Sequence, residues 1–208
     1  MSQTKFWINK PALELKNKPN RFVVKCYKLI NNKKYTTLLD LGCGRSRDAI
    51  YFAGKGLNVT AVDVSKNRIQ ALNNEIKKQK ISNINYLTKN IADLNFPSDS
   101  FDLIYAHLSL HYFDSATTAK IFKDLYKITK RKGMLFIKVK SIDDPKFGRG
   151  AKIGQNIFNY QGHIRHFFSK SYLQHLLKGW DQVNIRRNTS VYLGDKQKSK
   201  YLEAVAIK

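Results

Sequence analysis

Cysteine is almost absent: Cys26 and Cys43 are the only two among 208 residues. Two thiols so placed build no disulfide framework and match no zinc spacing, so no metal centre is expected, and a reducing cytoplasm is the expected setting. Long apolar runs are missing too. The first twenty residues, MSQTKFWINKPALELKNKPN, hold no apolar signal-peptide core, and nothing later approaches the roughly 20 residues that span a bilayer. Acidic residues are scarce, with Asp+Glu at 15 against Lys+Arg at 38 and a formal net charge of +23. That excess points to an anionic partner, nucleic acid first. The lysines, however, scatter from residue 5 to residue 208, with only local pairs such as Lys33–Lys34, Lys77–Lys78 and Arg186–Arg187. Codon usage favouring Lys, Asn and Ile accounts for such a scatter without any partner. Repeats and low-complexity tracts are also absent. What is present, 42% hydrophobic and 12% aromatic residues, suits one globular domain of ordinary core size.

Residues 1–36 read as an N-terminal arm followed by a helix over Arg21–Ile30, and residues 37–208 as the main domain. From Thr37 the patterns alternate. LLDL is a short strand, SRDAIYFAGK a helix closed by Gly56, NVTAVDV a strand, and SKNRIQALNNEIKKQK a helix with Ser65 placed to cap it. Strand INYLT, loop KNIADLNFPSDS, strand FDLIYAHLSL, a helix from about Ala116 to Thr129, a KRKG turn and strand MLFIKVK follow. This alternation predicts a doubly wound, Rossmann-like α/β three-layer sandwich. Residues 141–168 carry glycines and little periodicity, and predict a loop lying over the sheet. A helix capped at Ser169 or Ser171 and two closing strands, QVNIRR and YLEAVAIK, complete the chain.

The informative stretch is LLDLGCGRSRDAIYFAGKGLNVTAVDVS, Leu38 to Ser65. Gly42 and Gly44 allow a sharp turn and let a ligand touch the main chain. Asp63 ends the second strand about twenty residues later, where a carboxylate accepts hydrogen bonds from ribose hydroxyls. A ribose-bearing cofactor follows, and NAD and S-adenosylmethionine both qualify. A dinucleotide site wants a third glycine so that pyrophosphate reaches the helix N-terminus; Asp48 stands there instead. A carboxylate repels pyrophosphate and suits the ammonium of a methionine moiety. Asp40 adds a second carboxylate for the same cationic end. Asp48 also has a ligand-free reading, as a first-turn carboxylate favoured by the helix dipole. Cys43 reads as a small buried filler rather than a nucleophile.

These residues resemble the class I S-adenosylmethionine-dependent methyltransferases. LLDLGCGRSRDA matches their first motif, Asp63 the acidic residue after the second strand, LNFPSDSFDLIYAHLSLHYF the fourth-strand signature, and KRKGMLFIKV the fifth strand. The resemblance implies a mostly parallel seven-stranded sheet with a reversed last strand. It also implies that Asp40, Gly42, Gly44 and Asp48 line the methionine half, that Asp63 with Val64 holds the ribose, that Asn90 and Ile91 border the adenine, and that Ala106 and His107 close the site. Two departures are visible: Ser46 replaces the family's third glycine, and Asn90 stands where an acidic residue often meets the adenine amino group.

Methyl transfer chiefly requires placing donor and acceptor in line, so a general base is optional. His111, in SLHYF, is the candidate acceptor-side catalytic group, with a buried structural histidine as its alternative. In GHIRHFFSKSYL, His163 and Arg165 are candidate substrate-binding residues; the segment weakly resembles the tellurite-resistance methyltransferases. The bland reading makes Phe167 and Phe168 core anchors and Arg165 a bridging cation. His163 and His166 lack the partners of a metal site. The expected activity is S-adenosylmethionine-dependent methylation of a small-molecule acceptor. An RNA or DNA methyltransferase is the alternative, resting on charge alone, since neither an Asn/Asp-Pro-Pro-aromatic motif nor a Pro-Cys nucleophile pair follows the fourth strand. A non-catalytic cofactor- or anion-binding regulator and an NAD-dependent oxidoreductase are further alternatives, disfavoured respectively by the intact glycine turn and by Asp48.

Overall fold

The structure is a computed structural model that describes residues 19–30, 34–44, 46–191 and 198–208. The expected arm over residues 1–18 lies outside the described residues. The first element is helix α1 (Arg21–Leu29), capped by Asn20, whose side chain accepts from the backbone N–H of Val23 at 2.9 Å. Its apolar spacing buries Phe22, Val23 and Cys26 on one side.

The core is a seven-stranded sheet of β1 (Thr37–Leu41), β2 (Asn58–Asp63), β3 (Ile84–Thr88), β4 (Phe101–His107), β5 (Thr129–Lys140), β9 (Gln182–Val191) and β10 (Lys198–Ile207), in the order β3-β2-β1-β4-β5-β10-β9. Strands β1 to β5 pair in parallel, and the last strand, β10, pairs antiparallel with both β5 and β9. The doubly wound sheet and the reversed last strand are therefore as expected. Helices α2 (Arg47–Ala53), α3 (Lys66–Gln79), α4 (Ser115–Ile128) and α5 (Lys170–Leu176) supply the outer layers.

Period-two alternation along the strands feeds two cores. Leu39, Leu41, Ile104, Ala106, Leu135 and Ile137 face α4 and α5, where Phe122, Leu125 and Leu173 meet them. Leu38, Val59, Ala61, Leu103, Tyr105 and Phe136 face α1, α2 and α3, meeting Phe22, Phe52 and Leu72. Asp40, Asp63 and His107 continue this second set at the carboxyl ends of β1, β2 and β4. Because β1 is followed in space by β2 on one side and by β4 on the other, the sheet has its switch point there.

Three expectations need correction. Residues 141–168 are not simply a loop: they build a three-stranded antiparallel sheet of β6 (Ala151–Gly154), β7 (Ile157–Tyr160) and β8 (His163–His166). Gln161 and Gly162 join β7 to β8 with φ of 52° and 77°, the left-handed pair of a tight hairpin turn. The KRKG turn is a bulge inside β5, with Lys132 left-handed at φ 64° and the register jumping between Phe101–Thr129 and Leu103–Met134. Ser65 does precede α3, but its side chain makes no capping hydrogen bond.

Candidate active site

The turn after β1 is shaped by what it approaches. Gly42 and Gly44 lie at φ 69° and 55°, and a Cβ on Gly42 would stand 2.5 Å from the Cβ of Ser109. Ser46, where the family has glycine, is also left-handed at φ 60° and precedes α2, with its side chain giving no cap. The turn is pinned to β2: the N–H groups of Gly42 and Cys43 donate to the Val62 carbonyl at 2.7 and 2.9 Å. Asp63 then accepts from the Gly44 N–H through Oδ2 and from the Ser65 N–H through Oδ1, both at 2.9 Å, with Arg68 Nη1 at 3.8 Å from Oδ2. Each of its oxygens thus retains acceptor capacity.

Asp40 is 2% exposed, and its Oδ2 has no hydrogen-bond partner. Burial, reinforced by Asp48 and Asp63, holds its carboxyl well above the usual carboxylate range. Asp48 is engaged: it accepts from the Asn20 N–H at 3.3 Å, from the Asn20 side-chain amide, and from the Tyr105 hydroxyl at 2.9 Å. Its carboxyl is raised too, by burial, with those donors opposing. Asp48 therefore ties α1 to α2 and β4, a role beyond the first-turn reading. Cys43 is half-buried rather than the fully buried filler expected, and desolvation with Asp40 and Asp63 beside it holds its thiol well above the ordinary range.

After β3, the Asn90 side chain accepts from the Ala92 N–H at 3.0 Å and caps the short 3₁₀ turn Ile91–Asp93. Ile91 is buried, and its Cδ1 lies 3.4 Å from where a Gly42 Cβ would be. Val64 is half-buried. Ala106 is fully buried in the opposite core, so its side chain faces away from the layer that carries Asp40 and Asp63. His107 lies against both Phe22 and Tyr105, with ring centroids at 5.9 and 6.2 Å, and burial ahead of nearby Lys138 and Arg47 pushes it down to about 3.

His111 follows β4 in a second 3₁₀ turn, 2% exposed, with Nδ1 unpartnered and its ring 4.3 Å from that of Tyr112. Burial, then Arg165, Lys140 and His163, hold it well below its ordinary value, so it is a neutral imidazole. The Tyr112 ring in turn lies 5.3 Å from His163, edge on, and Arg165 Nε donates to His163 Nδ1 at 3.2 Å. His163 and Arg165 thus stand beside the segment that carries His111. Phe167 and Phe168 are core anchors.

Residues that sequence reasoning missed are Ser109, Arg68, Asn20 and Tyr105. Only Asn20 carried a local signal, as a helix-capping residue type directly before an amphipathic run. Among the described residues, the buried side-chain atoms without a partner include Asp40 Oδ2, Ser65 Oγ, Ser109 Oγ and His111 Nδ1. All four lie just at or beyond the carboxyl ends of β1, β2 and β4. Unpartnered buried groups are rare and cost about 1–3 kcal/mol each, and these four gather where the strand order of the sheet reverses.

A doubly wound sheet of this order, with a glycine turn, an acidic end to β2 and a carboxylate cluster for a cation, is the fold of the class I S-adenosylmethionine-dependent methyltransferases. Comparison agrees: residues 38–133 match the methyltransferase domain family. The chain is 23% identical over 153 residues to the malonyl-[acyl-carrier protein] O-methyltransferase of Salmonella typhimurium, which covers 73% of this chain and 57% of that one. TehB from Haemophilus influenzae superposes with a TM-score of 0.70 at 22% identity, over 91% of this chain and 62% of that chain. The 1,6-didemethyltoxoflavin-N1-methyltransferase of Burkholderia thailandensis, solved with S-adenosylhomocysteine, superposes with a TM-score of 0.67 at 18% identity, over 89% of this chain and 76% of that chain. The chain spans under two thirds of the length of the first two of these relatives. The family match thus spans just under half of the chain, and the structural likeness establishes the shared fold.

Proposed function

We propose that this chain transfers a methyl group from S-adenosylmethionine to a small-molecule acceptor. The observation that carries the reading is Asp40: a buried, partnerless carboxylate oxygen at the end of β1, in a cluster with Asp48 and Asp63. Such a cluster is unfavourable alone and favourable around a cation. S-adenosylmethionine presents two cations, an ammonium and a sulfonium, and the residues fit it. Asp40, Gly42, Gly44 and Asp48 would hold the methionine half, and Asp63 with Val64 the ribose. Asn90 and Ile91 would border the adenine, and His107, with Ala106 through its main chain alone, would close the site. Asn90 keeps the side-chain amide as a donor and the second lone pair of its oxygen.

When bound, the cofactor supplies an electrophilic methyl on sulfur, and displacement leaves a neutral thioether. The chain's task is to set the acceptor in line and to manage its proton. His111 is the proposed acceptor-side group, since a neutral imidazole takes a proton where a protonated one cannot. His163 and Arg165 are its proposed partners on the substrate, with residues 141–168 covering the acceptor. A small acceptor is supported by relatives whose names specify acceptors of that kind, the toxoflavin precursor among them. Calorimetric titration tests the cofactor reading. S-adenosylhomocysteine should bind at micromolar concentration while NAD does not; binding of NAD alone would contradict it.

A further inference from the structure

The acidic cluster holds two carboxylates in unlike states. Asp40 Oδ2 has no partner, whereas Asp48 collects three donors from two other elements. Asn20, the cap of α1, spends its side-chain oxygen on the Val23 N–H at 2.9 Å and turns its donors to Asp48. Its main-chain N–H reaches Oδ1 at 3.3 Å, and its side-chain amide reaches Oδ2. The Tyr105 hydroxyl, from β4, donates to the same Oδ2 at 2.9 Å and accepts from the Asn20 amide at 3.1 Å. A carboxylate oxygen accepts about two hydrogen bonds, so among the described residues Oδ2 is filled and Oδ1 keeps one acceptor site. Tyr105 is fully buried, and the sheet register sets it beside Asp40 across β1 and β4. The same docking of α1 lays the Phe22 ring on Tyr105 at 5.6 Å and on His107 at 5.9 Å. The other titratable or charged groups near Asp48 are Asp40 from β1, Cys26 from α1 and Arg47 from its own helix, α2.

We infer that Asn20 and Tyr105 are positioning residues of the cofactor site. They fix the Asp48 carboxylate so that its open site on Oδ1 receives the methionine ammonium beside Asp40, and the methionine half is complete only with α1 docked. The inference rests on the methyltransferase reading and deepens it by naming two residues that act through a third. Capping alone does not require this arrangement, because an Asn cap serves its helix through the side-chain oxygen and leaves the amide free to face water. Here the amide is directed to a carboxylate in the first turn of α2, just past the glycine turn. Hydrogen bonds to a carboxylate suit its charged form. Burial opposes that form at Asp48, and the donors from Tyr105 and Asn20 work against burial. They therefore keep negative charge where a cation is to be bound, and they keep it in one orientation.

Two variants each remove one donor. Tyr105→Phe keeps the ring, and Asn20→Ser keeps a cap for Val23 while losing the amide. S-adenosylhomocysteine, which carries the same ammonium, is titrated calorimetrically into the full chain and into each variant across the neutral range, with thermal melts alongside. Each variant should weaken binding by about tenfold. The pH at which affinity falls away should also move up, because a carboxyl with fewer donors takes its proton sooner as pH drops. Asp48→Asn has no carboxylate to position, so adding Tyr105→Phe to it should cost little further affinity. Lower melting temperatures with affinity and pH profile unchanged would make the cluster a clamp for α1 alone and overturn the inference. Fully additive losses in the double variant would overturn it as well. Failure of the parent chain to bind S-adenosylhomocysteine overturns the methyltransferase reading instead, so the two failures are distinct.

Discussion

At the scale of single residues, Asp40 and Asp63 carry opposite signatures. Asp63 has both oxygens engaged by backbone N–H groups of the turn, and the ribose is its proposed ligand. Asp63→Ala should weaken S-adenosylhomocysteine by about 1.5–3 kcal/mol per lost charged hydrogen bond, read by calorimetry. Asp40 is held protonated more than an ordinary carboxyl, by burial and by its acidic neighbours. A cationic ligand favours its ionised form, so binding should release protons, and affinity should fall as pH drops through that raised value. Titration in buffers of different ionisation enthalpy reads the release directly. Asp40→Asn removes the charge without changing the shape. The apo protein should then melt a few degrees higher, for about 1 kcal/mol gained, while cofactor affinity falls. Two effects of opposite sign distinguish a ligand carboxylate from a structural one.

Among elements, the join between β1 and β4 is held from below by Asp102. It accepts from the N–H groups of Thr36 and Thr37 at 3.0 and 2.9 Å and pairs with Lys130 at 3.0 Å. Burial pushes its carboxyl up, but these donors outweigh it and bring it to about 2. Asp102→Asn should cost about 2 kcal/mol, or roughly 4–8 °C of melting temperature, with little change in cofactor affinity because the residue sits at the far end of the strand. The elements around this join were legible in the sequence because their signals are local. β1, α2 and β2 announce themselves by apolar runs, glycine punctuation and acidic ends. The small sheet was not legible, since four-residue strands carry too little alternation to stand out among glycines. Its one local sign was the Gln161–Gly162 hairpin turn. Ser109 and Arg68 were hidden for a different reason: each matters through a neighbour distant along the chain or across a turn, Gly42 for one and Asp63 for the other. Asp48 stood out in the sequence where a third glycine is expected, but its ties to Asn20 and Tyr105 depend on how α1 docks.

For the whole molecule, three neutral histidines set the acid limit. Burial is the first cause in each: it takes His107 to about 3 and His166 to about 4, and holds His111 well below 6.5. Between those values and 6.5 the unfolded chain binds protons that the folded one refuses, so stability rises with pH there and is lost as pH falls below about 6.5. Carboxylates such as Asp102, depressed to about 2, lose their contribution only at far lower pH. Thermal melts from about pH 7 down to about pH 5 should show a steady decline; a flat profile would mean these rings are protonated in the native state. No helix among the described residues is long and apolar enough to cross a membrane. All of this rests on a single claim, that the carboxyl ends of β1, β2 and β4 hold S-adenosylmethionine. The most direct measurement is a crystal structure of the chain grown with S-adenosylhomocysteine. The expected result places the ribose hydroxyls on Asp63, the ammonium beside Asp40 and the adenine against Ile91. Density for the ligand elsewhere, with Asp40 and Asp63 untouched, would contradict the account.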